Sequence, residues 1–284
     1  KINLLICNCS LTPAQQKNLE NHLKIKVTDR VGIIIEIFSK RAYSNEGKLQ
    51  VQLAELIYRK SRLVRAWTHL ERQRGGTTFI GGPGELQIEL DRRLIQEKII
   101  NIKKKLKKVR NRRNVQRKLR KKNNFKTFAL IGYTNTGKTL LFNKLTGNNQ
   151  ISKNKLFQTL DTKISKIYLS KKNISGLIDT VGFINDIPTQ LIESFQATLE
   201  ELHTADFLIN VVDINDINYR DKIQIIKKIL RETGVDEYKI TKMITVFNKI
   251  DLNDLIHKNS NEKKYVSALT GDGIDKLKLY MSSL

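Results

Sequence analysis

The chain has 284 residues, which is long enough for about two domains. Hydrophobic residues make up 39% of it, a fraction that allows real cores and excludes a compositionally disordered protein. No apolar run approaches the roughly 20 residues of a membrane helix, and the start shows no signal-peptide pattern, so we expect no membrane span. The only cysteines are Cys7 and Cys9, which excludes a disulfide framework and favours reduced thiols in the cytoplasm.

The net charge of +24 is concentrated in the first half of the sequence. Residues 1–124 contain 30 Lys and Arg against 10 Asp and Glu, a net +20, whereas residues 125–284 contain 22 against 18, a net +4. Of these basic residues, 13 lie within 103–122, a stretch without an acidic residue. A charge run often covers only a solvated face, but one of this density on a helical pattern indicates contact with a polyanion.

Residues 1–46 predict a partial α/β segment that is small for an independent domain. Its first helix is opened by Ser10 or Thr12 as the cap and by Pro13 in the first turn. In chain order the predicted elements are a buried strand at 2–7, a helix at 13–22, a strand at 24–27 and a short helix at 31–42.

Residues 47–124 predict a long antiparallel helical hairpin that carries the basic stretch. Apolar residues recur every four and three positions on both sides of a turn, which is typical of two helices packed nearly as a coiled coil. The first apolar seam consists of Leu49, Leu53, Leu56, Leu63, Trp67 and Leu70, with Lys60 at one seam position. The second consists of Leu86, Leu90, Leu94, Ile95, Ile99, Ile102, Leu106 and Val109.

The turn between the seams reads GGTTFIGGPGE at 75–85 and contains five glycines and Pro83. A simple helix reversal needs only a few residues with one or two glycines, so this loop has more backbone freedom than reversal requires. We interpret it as a tip that presents its backbone N–H and C=O groups in a narrow RNA-lined cavity. The alternative is a tight turn that packs Phe79 and Ile80 back onto the hairpin.

Residues 125–284 alternate strands and helices, which predicts an α/β domain with a parallel or mixed sheet covered by helices on both faces. Ligands of such open sheets bind at the carboxyl ends of the strands. The predicted strands are 127–132, 163–169, 173–179, 207–213, 241–247 and a short one near 264–267, and the predicted helices are 138–146, 190–203, 218–232 and 273–283.

A phosphate-binding loop follows the first of these strands. Residues 132–139 read GYTNTGKT, which matches the pattern G-x-x-x-x-G-K-[ST] between a strand and a helix. The backbone N–H groups of 133–138 would surround the phosphates, and the helix N-terminus would add partial positive charge. Lys138 would reach the β- and γ-phosphates, and Thr139 would offer its hydroxyl to Mg²⁺.

DTVGF at 179–183 is the second motif and ends another apolar strand. Asp179 can hold a magnesium-bound water, and Gly182 can donate its N–H to a γ-phosphate. This short pattern is weak alone, but it gains weight from its distance after a phosphate-binding loop.

The third and fourth nucleotide-binding motifs are NKID at 248–251 and SAL at 267–269. Asp251 can accept hydrogen bonds from the N1–H and the exocyclic amine of guanine, a donor pair that adenine lacks. Asn248 would brace the loop, Lys249 would lie along the base, and the Ala268 N–H can reach guanine O6. The four motifs predict a GTP-binding domain and disfavour an ATPase.

From about residue 2 to 284 the chain resembles the HflX family of ribosome-associated GTPases, and its last domain resembles translation-factor-class GTPases. The residues that carry the resemblance are, in order, GPGELQIELDRR at 82–93 with the hairpin around it, GYTNTGKT, FQTLD at 157–161, DTVGF and NKID. GPGE followed by DRR is more specific to the family than the GTPase motifs are. The resemblance implies a P-loop GTPase that uses Mg²⁺ and contacts the large ribosomal subunit and its RNA, with the glycine-rich tip near the peptidyl-transferase centre. We expect a cytoplasmic monomer.

By this resemblance FQTLD is the switch segment, and Thr159 is expected to ligate Mg²⁺ and to sense the γ-phosphate. From the sequence alone Thr162 competes for this role, and an ordinary surface threonine is the remaining alternative. The chain departs from the family in three ways. Upstream β/α structure is missing, Thr162 replaces a proline that is common after the aspartate, and Gly81 replaces an arginine that is common just before GPGE.

The predicted site gathers these motifs. The groups expected to act in hydrolysis are Lys138, Thr159 and Gly182, and the expected metal ligands are Thr139 and Thr159. The residues predicted to bind the nucleotide are Gly132, Tyr133, Thr134, Asn135, Thr136, Gly137, Lys138, Thr139, Phe157, Gln158, Thr159, Leu160, Asp161, Asp179, Thr180, Val181, Gly182, Asn248, Lys249, Ile250, Asp251, Ser267, Ala268 and Leu269.

The sequence contains no obvious residue to orient the attacking water. Many GTPases have glutamine directly after the DxxG pattern, but this chain has Phe183 there, and neither switch segment contains an arginine. Hydrolysis is therefore expected to be slow alone and to be raised by a partner, which the resemblance implies is the large ribosomal subunit. One interpretation is a GTPase that couples GTP binding and hydrolysis to ribosome association, splitting or rescue. The other is an RNA-binding module whose nucleotide site is largely vestigial.

Overall fold

A computed structural model describes residues 2–66, 83–122, 125–147, 163–170, 173–183, 196–252 and 264–284, with all of their side chains except those of 64–66, 83–88, 120–122 and 196–199. The described residues form two compact units, one up to Arg110 and the other from Asn111. The boundary lies inside a long helix, whereas the sequence predicts a domain end at 124. The last turns of the basic helix therefore belong to the second unit.

The first unit begins with two parallel strands, β1 (Leu4–Cys7) and β2 (Lys26–Asp29), connected by helix α1 (Pro13–Leu23) and followed by helix α2 (Arg30–Arg41). Of the two predicted caps for α1, Thr12 is the one that forms. The Thr12 hydroxyl accepts from the Gln15 N–H, and the Gln15 side chain accepts from the Thr12 N–H. This reciprocal pair satisfies two N–H groups that a helix start leaves without partners.

The first strand is half exposed, and the prediction that residues 2–7 are buried was wrong. Leu4 and Ile6 are 40% and 51% exposed, whereas Leu5 and Cys7 are partly buried. Alternate residues of a strand point to opposite faces of the sheet. The two-stranded sheet therefore buries only one face of β1.

Asp29 connects the α/β segment to the helical hairpin. Its side chain is buried at the end of β2 and accepts from the Gly32 N–H at 2.9 Å, which caps α2. The same carboxylate accepts from the Tyr58 hydroxyl at 2.8 Å and from Arg62 at 2.6 Å, both in the next helix. Burial, together with the hydrogen bond to Asp29, raises the pKa of Tyr58 well above its ordinary value. The predicted partial segment and the first hairpin helix are therefore parts of one unit.

Two long helices, α3 (Asn45–Ala66) and α4 (Pro83–Lys122), form the helical region. They pack through part of the predicted seam, and Lys60 Nζ donates to Gln96 Oε1 at 2.6 Å across it. The packed residues are Leu49, Leu53, Leu56, Ile57, Ile95, Ile99, Ile102 and Leu106.

The seam differs from its prediction at the start of α4. Leu90 and Leu94 are 50% and 53% exposed, so the buried part of α4 begins at Ile95. Trp67 and Leu70, which belong to the predicted seam of the first helix, lie outside the described residues. So do the other residues of 67–82, and with them most of the glycine-rich stretch. The helix begins at Pro83, a residue suited to a first helical turn.

The second unit contains a five-stranded mixed sheet. Its strands are β3 (Thr127–Ile131), β4 (Lys163–Tyr168), β5 (Ile174–Asp179), β6 (Phe207–Asp213) and β7 (Ile244–Asn248). They lie in the order β4-β5-β3-β6-β7, in which the edge strand β4 is antiparallel to β5 and the other pairs are parallel. The helices are α5 (Lys138–Thr146), α6 (Gln196–Thr204), α7 (Tyr219–Glu232), α8 (Glu237–Thr241) and α9 (Ile274–Ser282).

Helices cover both faces of this sheet, which confirms the predicted α/β class. On one face, strand residues such as Leu130 pack against Leu141 of α5 and Leu277 of α9. On the other, strand residues such as Ala129 pack against α6, α7 and α8, for example at Leu202. The β strands all run toward the same end of the sheet except β4, so their carboxyl ends share one edge where loops can meet.

Several predicted elements of the second unit differ in extent. The strand expected at 241–247 is β7, which begins only at Ile244 because Glu237–Thr241 form α8. The strand expected near 264–267 is a single bridge between Tyr265 and Phe247. The helix expected at 190–203 is described from Gln196 onward, and 184–195 lie outside the described residues. In the part of the chain that the structure describes, no helix has both the length and the apolar composition to cross a membrane.

Candidate functional site

The loop 132–139 joins β3 to α5, and its glycines are required by close contacts. Gly132 has φ 147° and Gly137 has φ 88°, a backbone region that other residues rarely adopt. A Cβ at Gly132 would collide with a backbone carbonyl oxygen of β6, and one at Gly137 would collide with the Asn248 amide. Asn135 also has a positive φ of 65°, which asparagine tolerates better than most residues. The loop is shaped as the phosphate-binding pattern predicts.

Lys138 is buried at the start of α5 and folds back over the loop. Its Nζ donates to the Tyr133 carbonyl oxygen, which also accepts from the Thr136 hydroxyl at 3.0 Å. Burial lowers the pKa of Lys138 from 10.5 to about 8, and the charge of Asp179 acts in the opposite direction. An anionic ligand in this loop would stabilise the charged form of the lysine, since it would replace some of the lost hydration.

Thr139 and Asp179 bring two oxygen groups together beside the loop. The Thr139 hydroxyl donates to Asp179 Oδ2 at 3.0 Å, although the two residues are 40 positions apart. Asp179 ends β5 and is fully buried. A hydroxyl and a carboxylate are the kind of ligands that Mg²⁺ prefers, with water and phosphate oxygens filling the remaining positions. Among the described residues no group of three or more His, Cys, Asp or Glu could hold a metal ion.

The DTVGF motif is joined to the phosphate loop by its backbone. The Phe183 N–H donates to the Gly132 carbonyl oxygen at 2.9 Å, and the Thr134 N–H donates to the Phe183 carbonyl oxygen at 2.9 Å. A Cβ at Gly182 would lie 3.0 Å from Lys138 Nζ, so the predicted γ-phosphate contact stands beside the lysine.

The other side chains of this motif, after Asp179, have structural roles. Phe183 is 4% exposed and packs in the core cluster that also contains Tyr133, so its ring faces away from solvent. The Thr180 hydroxyl donates to the Leu130 carbonyl oxygen at 2.6 Å, which fixes the motif to β3, and Val181 is partly buried. The structure is consistent with the expectation that Phe183 does not orient water.

Asn248 links the base-binding motif to the phosphate loop. Its Nδ2 donates to the Thr136 carbonyl oxygen at 2.8 Å, and its Oδ1 accepts from the Ala268 N–H at 2.9 Å. The first contact is the bracing role predicted for Asn248. The second occupies the N–H that was predicted to contact guanine O6, so the predicted contact competes with an internal bond.

Asp251 lies beside the second base loop. Its Oδ1 accepts from the Ser267 hydroxyl at 2.5 Å, while Ile250 is buried and Leu269 is 65% exposed. The bond to Ser267 holds one carboxylate oxygen in place. The arrangement brings NKID and SAL into contact, as expected of two segments that would share one base.

The predicted switch segment is not among the described residues. Phe157, Gln158, Thr159, Leu160 and Asp161 all lie outside them, as does the competing Thr162. The strand that follows, β4, begins at Lys163, which pairs directly with Asp179. The choice between the two threonines therefore stays a prediction.

Two residues at the site were missed by sequence reasoning. Asp213 Oδ2 lies 2.6 Å from Lys249 Nζ, and Asn215 Nδ2 donates to the Lys249 carbonyl oxygen at 2.9 Å. Asp213 ends β6, and polar residues at the carboxyl end of a strand in an open sheet are candidates for a ligand site. The position of Asp213 at the end of a predicted strand could therefore have indicated its place in the site from the sequence.

A mixed sheet with a glycine-shaped phosphate loop, a buried Asp179 beside Thr139, and NKID at the end of β7 defines a P-loop GTPase domain. Three family models match the chain, described as GTP-binding GTPase N-terminal at 1–39, GTP-binding GTPase Middle Region at 41–120 and 50S ribosome-binding GTPase at 127–249.

Relatives agree over nearly the whole chain. It is 46% identical to GTPase HflX of Magnetococcus marinus, over 98% of this chain and 65% of that protein. It is 38% identical to GTPase HflX of Spirochaeta thermophila, over 97% of this chain and 68% of that protein. The chain belongs to the HflX family of GTPases. It spans 63% to 65% of the length of the first three curated relatives that it matches.

The fold also resembles a solved structure. A GTP-binding protein from the archaeon Sulfolobus solfataricus, crystallised in complex with GDP, is 28% identical to this chain with a TM-score of 0.52. The match covers 99% of this chain and 80% of that one. Both units of the present chain therefore have counterparts in one known protein.

Proposed function

We propose that this chain binds GTP with Mg²⁺ and hydrolyses it to GDP and phosphate. The observation that carries the proposal is the meeting of four motifs from distant parts of the chain at one edge of the sheet. The phosphate loop touches DTVGF through Phe183 and touches NKID through Asn248, and NKID touches SAL through Ser267. The relatives named GTPase HflX and the archaeal protein bound to GDP support this assignment.

The residues of the loop have separable tasks in this reaction. The N–H groups of 133–138, other than that of Thr134, which donates to the Phe183 carbonyl oxygen, would bind phosphate oxygens. Lys138 would leave the Tyr133 carbonyl to stabilise the charge that develops on the γ-phosphate. Gly182 stands beside Lys138, and its N–H would sense whether that phosphate is present. Asp251 would select guanine because a wrong base would leave its carboxylate unpaired.

Thr139 would hold Mg²⁺, and Thr159 is proposed as the second protein ligand. The 3.0 Å hydrogen bond from the Thr139 hydroxyl to Asp179 is compatible with metal binding. The hydroxyl can donate to the carboxylate while a lone pair of its oxygen faces the metal. When bound, Mg²⁺ neutralises charge on the phosphates. Asp179 would then hold a water of the metal shell.

Hydrolysis by the isolated chain is expected to be slow. The buried ring of Phe183 has no polar group to orient water, and the sequences FQTLD and DTVGF contain no arginine. A partner that supplies or orders a water-positioning group would raise the rate. The intact shape of the phosphate loop supports an active site over a vestigial one.

We further propose that the partner is the large ribosomal subunit, contacted as a monomer through the basic part of α4. The cations that are exposed in the structure are Lys103, Lys104, Lys105, Lys107, Lys108, Arg110, Arg112 and Lys118. Their density suits the phosphate backbone of RNA. The family model described as 50S ribosome-binding GTPase, which matches 127–249, supports the same partner. Ribosome splitting or rescue would follow from GTP-dependent association.

The test measures GTP hydrolysis by the purified chain alone, with large subunits, and with small subunits as a control. Large subunits should raise the rate at least about tenfold, which is well below the roughly 10³–10⁵-fold that a partner supplying an arginine finger provides. Cosedimentation with large subunits should require GTP or a non-hydrolysable analogue. Absence of hydrolysis under all conditions, with RNA binding retained, would favour the RNA-binding module instead.

A further inference from the structure

Lys249 has a backbone conformation that a lysine rarely adopts. Its φ of 67° lies in the left-handed region, where the Cβ of an L-residue crowds its own backbone. Such a conformation persists only where surrounding contacts hold it, and it tends to mark functional sites. Lys249 stands between Asn248, which is tied to the phosphate loop, and Asp251. Its conformation therefore sets the direction in which the chain leaves β7 toward the base-binding carboxylate.

Two residues, one at the end of β6 and one just after it, hold Lys249 at both ends. Asn215 Nδ2 donates to the Lys249 carbonyl oxygen at 2.9 Å, and Asp213 Oδ2 lies 2.6 Å from Lys249 Nζ. The other oxygen of Asp213 accepts from the Asn215 N–H at 3.1 Å and from its Nδ2 at 3.4 Å. One carboxylate thus orients both the amide that fixes the backbone and the ammonium that fixes the side chain.

The strand register makes this arrangement possible. Asp213 pairs with Asn248 at the ends of β6 and β7, and the Ile214 N–H donates to the Asn248 carbonyl oxygen at 3.2 Å. The Asp213 and Lys249 side chains are 20% and 26% exposed. Ion pairs that reach solvent contribute little to stability, so the contribution of this pair is mainly geometric.

We propose that Asp213 and Asn215 are positioning residues for base recognition. They hold Lys249 so that its aliphatic stem lies along the base and Asp251 meets the base edge. The inference rests on the proposed function, that is, on a guanine nucleotide in this site. Without these contacts Lys249 relaxes to an ordinary φ, Asp251 is displaced, and the preference for guanine falls.

The experiment compares binding of GDP and of IDP, whose base lacks the exocyclic amine and so makes one hydrogen bond fewer to Asp251. In Asn215→Ala and in Asp213→Asn, GDP affinity should fall about tenfold, the order of one lost hydrogen bond to a charged group. IDP affinity should fall less, so the ratio of the two affinities should drop at least about threefold. A merely structural role would weaken both nucleotides equally.

Asp221→Asn is the control, because this exposed carboxylate lies in the first turn of α7, close in sequence to Asp213. It should leave the ratio unchanged, and the melting temperatures of all nucleotide-free variants should stay close to that of the parent chain. A double-mutant cycle then tests whether Asp213 acts through Lys249. In a Lys249→Met background, Asp213→Asn should cause no further loss of the GDP preference. Additive losses would overturn the inference.

The proposed function and the positioning role can be contradicted separately. A parent chain that binds ADP as well as GDP contradicts the proposed function itself. A parent chain that prefers GDP, with variants at Asn215 and Asp213 that keep the full ratio, contradicts only the positioning role. Asp251→Asn serves as the positive control, since it should abolish the preference for GDP over IDP.

Discussion

Arg117 Nη2 lies 2.7 Å from Glu201 Oε1, and the two side chains are only 9% and 1% exposed. Arg113 lies 3.6 Å from the same carboxylate oxygen, and Glu200 lies 3.6 Å from Arg117. These contacts attach the last turns of α4 to α6 within the second unit. Two of the 13 cations in 103–122 are therefore ion-paired inside the protein and are not part of the surface that we propose for RNA.

Removal of one partner of this buried pair should destabilise the second unit. Glu201→Ala leaves Arg117 buried without its compensating charge, which typically costs about 3–5 kcal/mol of unfolding free energy. Urea denaturation of the full chain measures it. Glu237→Ala, which breaks an exposed pair with Arg231, is the control and should change little. If Arg117→Met with Glu201→Leu is no more stable than Glu201→Ala, the unpaired charge is not the cause of the loss.

Asp251→Asn should change the base that the site accepts. The carboxylate would no longer accept from the N1–H and amine of guanine, while the new amide could donate to the extra carbonyl of xanthine. GTP binding should weaken strongly and xanthosine triphosphate should be preferred, as measured by competition with a fluorescent nucleotide. A GTP affinity within about a factor of two of the parent would place the guanine pocket elsewhere.

Thr159→Ala and Thr162→Ala should separate the two candidate switch residues. Only the γ-phosphate state is expected to recruit the switch hydroxyl, so Thr159→Ala should spare GDP binding and reduce GTP-dependent pelleting with large subunits. Thr162→Ala should have little effect on either measurement. The opposite ranking would assign the metal ligand to Thr162.

Replacement of residues 76–83 by a short Gly-Ser turn should test the glycine-rich tip. The variant should keep GTP affinity, near-normal stability and salt-sensitive binding to ribosomal RNA, because the cations of α4 carry that binding. It should lose ribosome-stimulated hydrolysis or subunit splitting. Loss of the fold would support the tight-turn alternative with Phe79 and Ile80, and full activity would show that the tip has no role.

The buried ammonium of Lys138 should make the stability of the nucleotide-free protein depend on pH. Its pKa is about 8 in the folded chain and about 10.5 when unfolded. Between these values the unfolded state binds more protons, so the unfolding free energy should rise with pH, by about 3 kcal/mol at most. Lys138→Met lacks this dependence. It should therefore exceed the parent in stability at pH 7, and the difference should shrink toward pH 10. A constant difference would contradict the lowered pKa.

Local patterns predicted much of the second unit. The limits of α5 and β6 match their predictions, because Gly137 and Gly147 bound the helix and seven mostly apolar residues form the strand. The phosphate loop could be predicted from the sequence because phosphate binding requires glycines at a fixed spacing. The exposure of Leu90 and Leu94 was not predictable, since heptad spacing shows which residues could face a partner but not where the partner is.

Contacts between side chains far apart in the sequence were also not predictable from sequence patterns. Arg117 and Glu201 are 84 positions apart. Arg117 belongs to the basic stretch that we interpreted as contacting a polyanion, and Glu201 belongs to a separately predicted helix. Asp213 and Lys249 meet only because β6 and β7 are neighbours in register. A sequence pattern gives the face of one element at a time, whereas such pairs depend on how elements are ordered in the sheet.

The amide of Asn248 is shared by the phosphate loop and the base loop, through Thr136 on one side and Ala268 on the other. Any fluctuation that exposes the Ala268 N–H to solvent must break its bond to Asn248, which also anchors the phosphate loop. The backbone amides of both loops should therefore exchange their hydrogens through one shared opening, although they are more than 100 positions apart. A small anion that touches only the phosphate loop should then slow hydrogen exchange at the base loop as well.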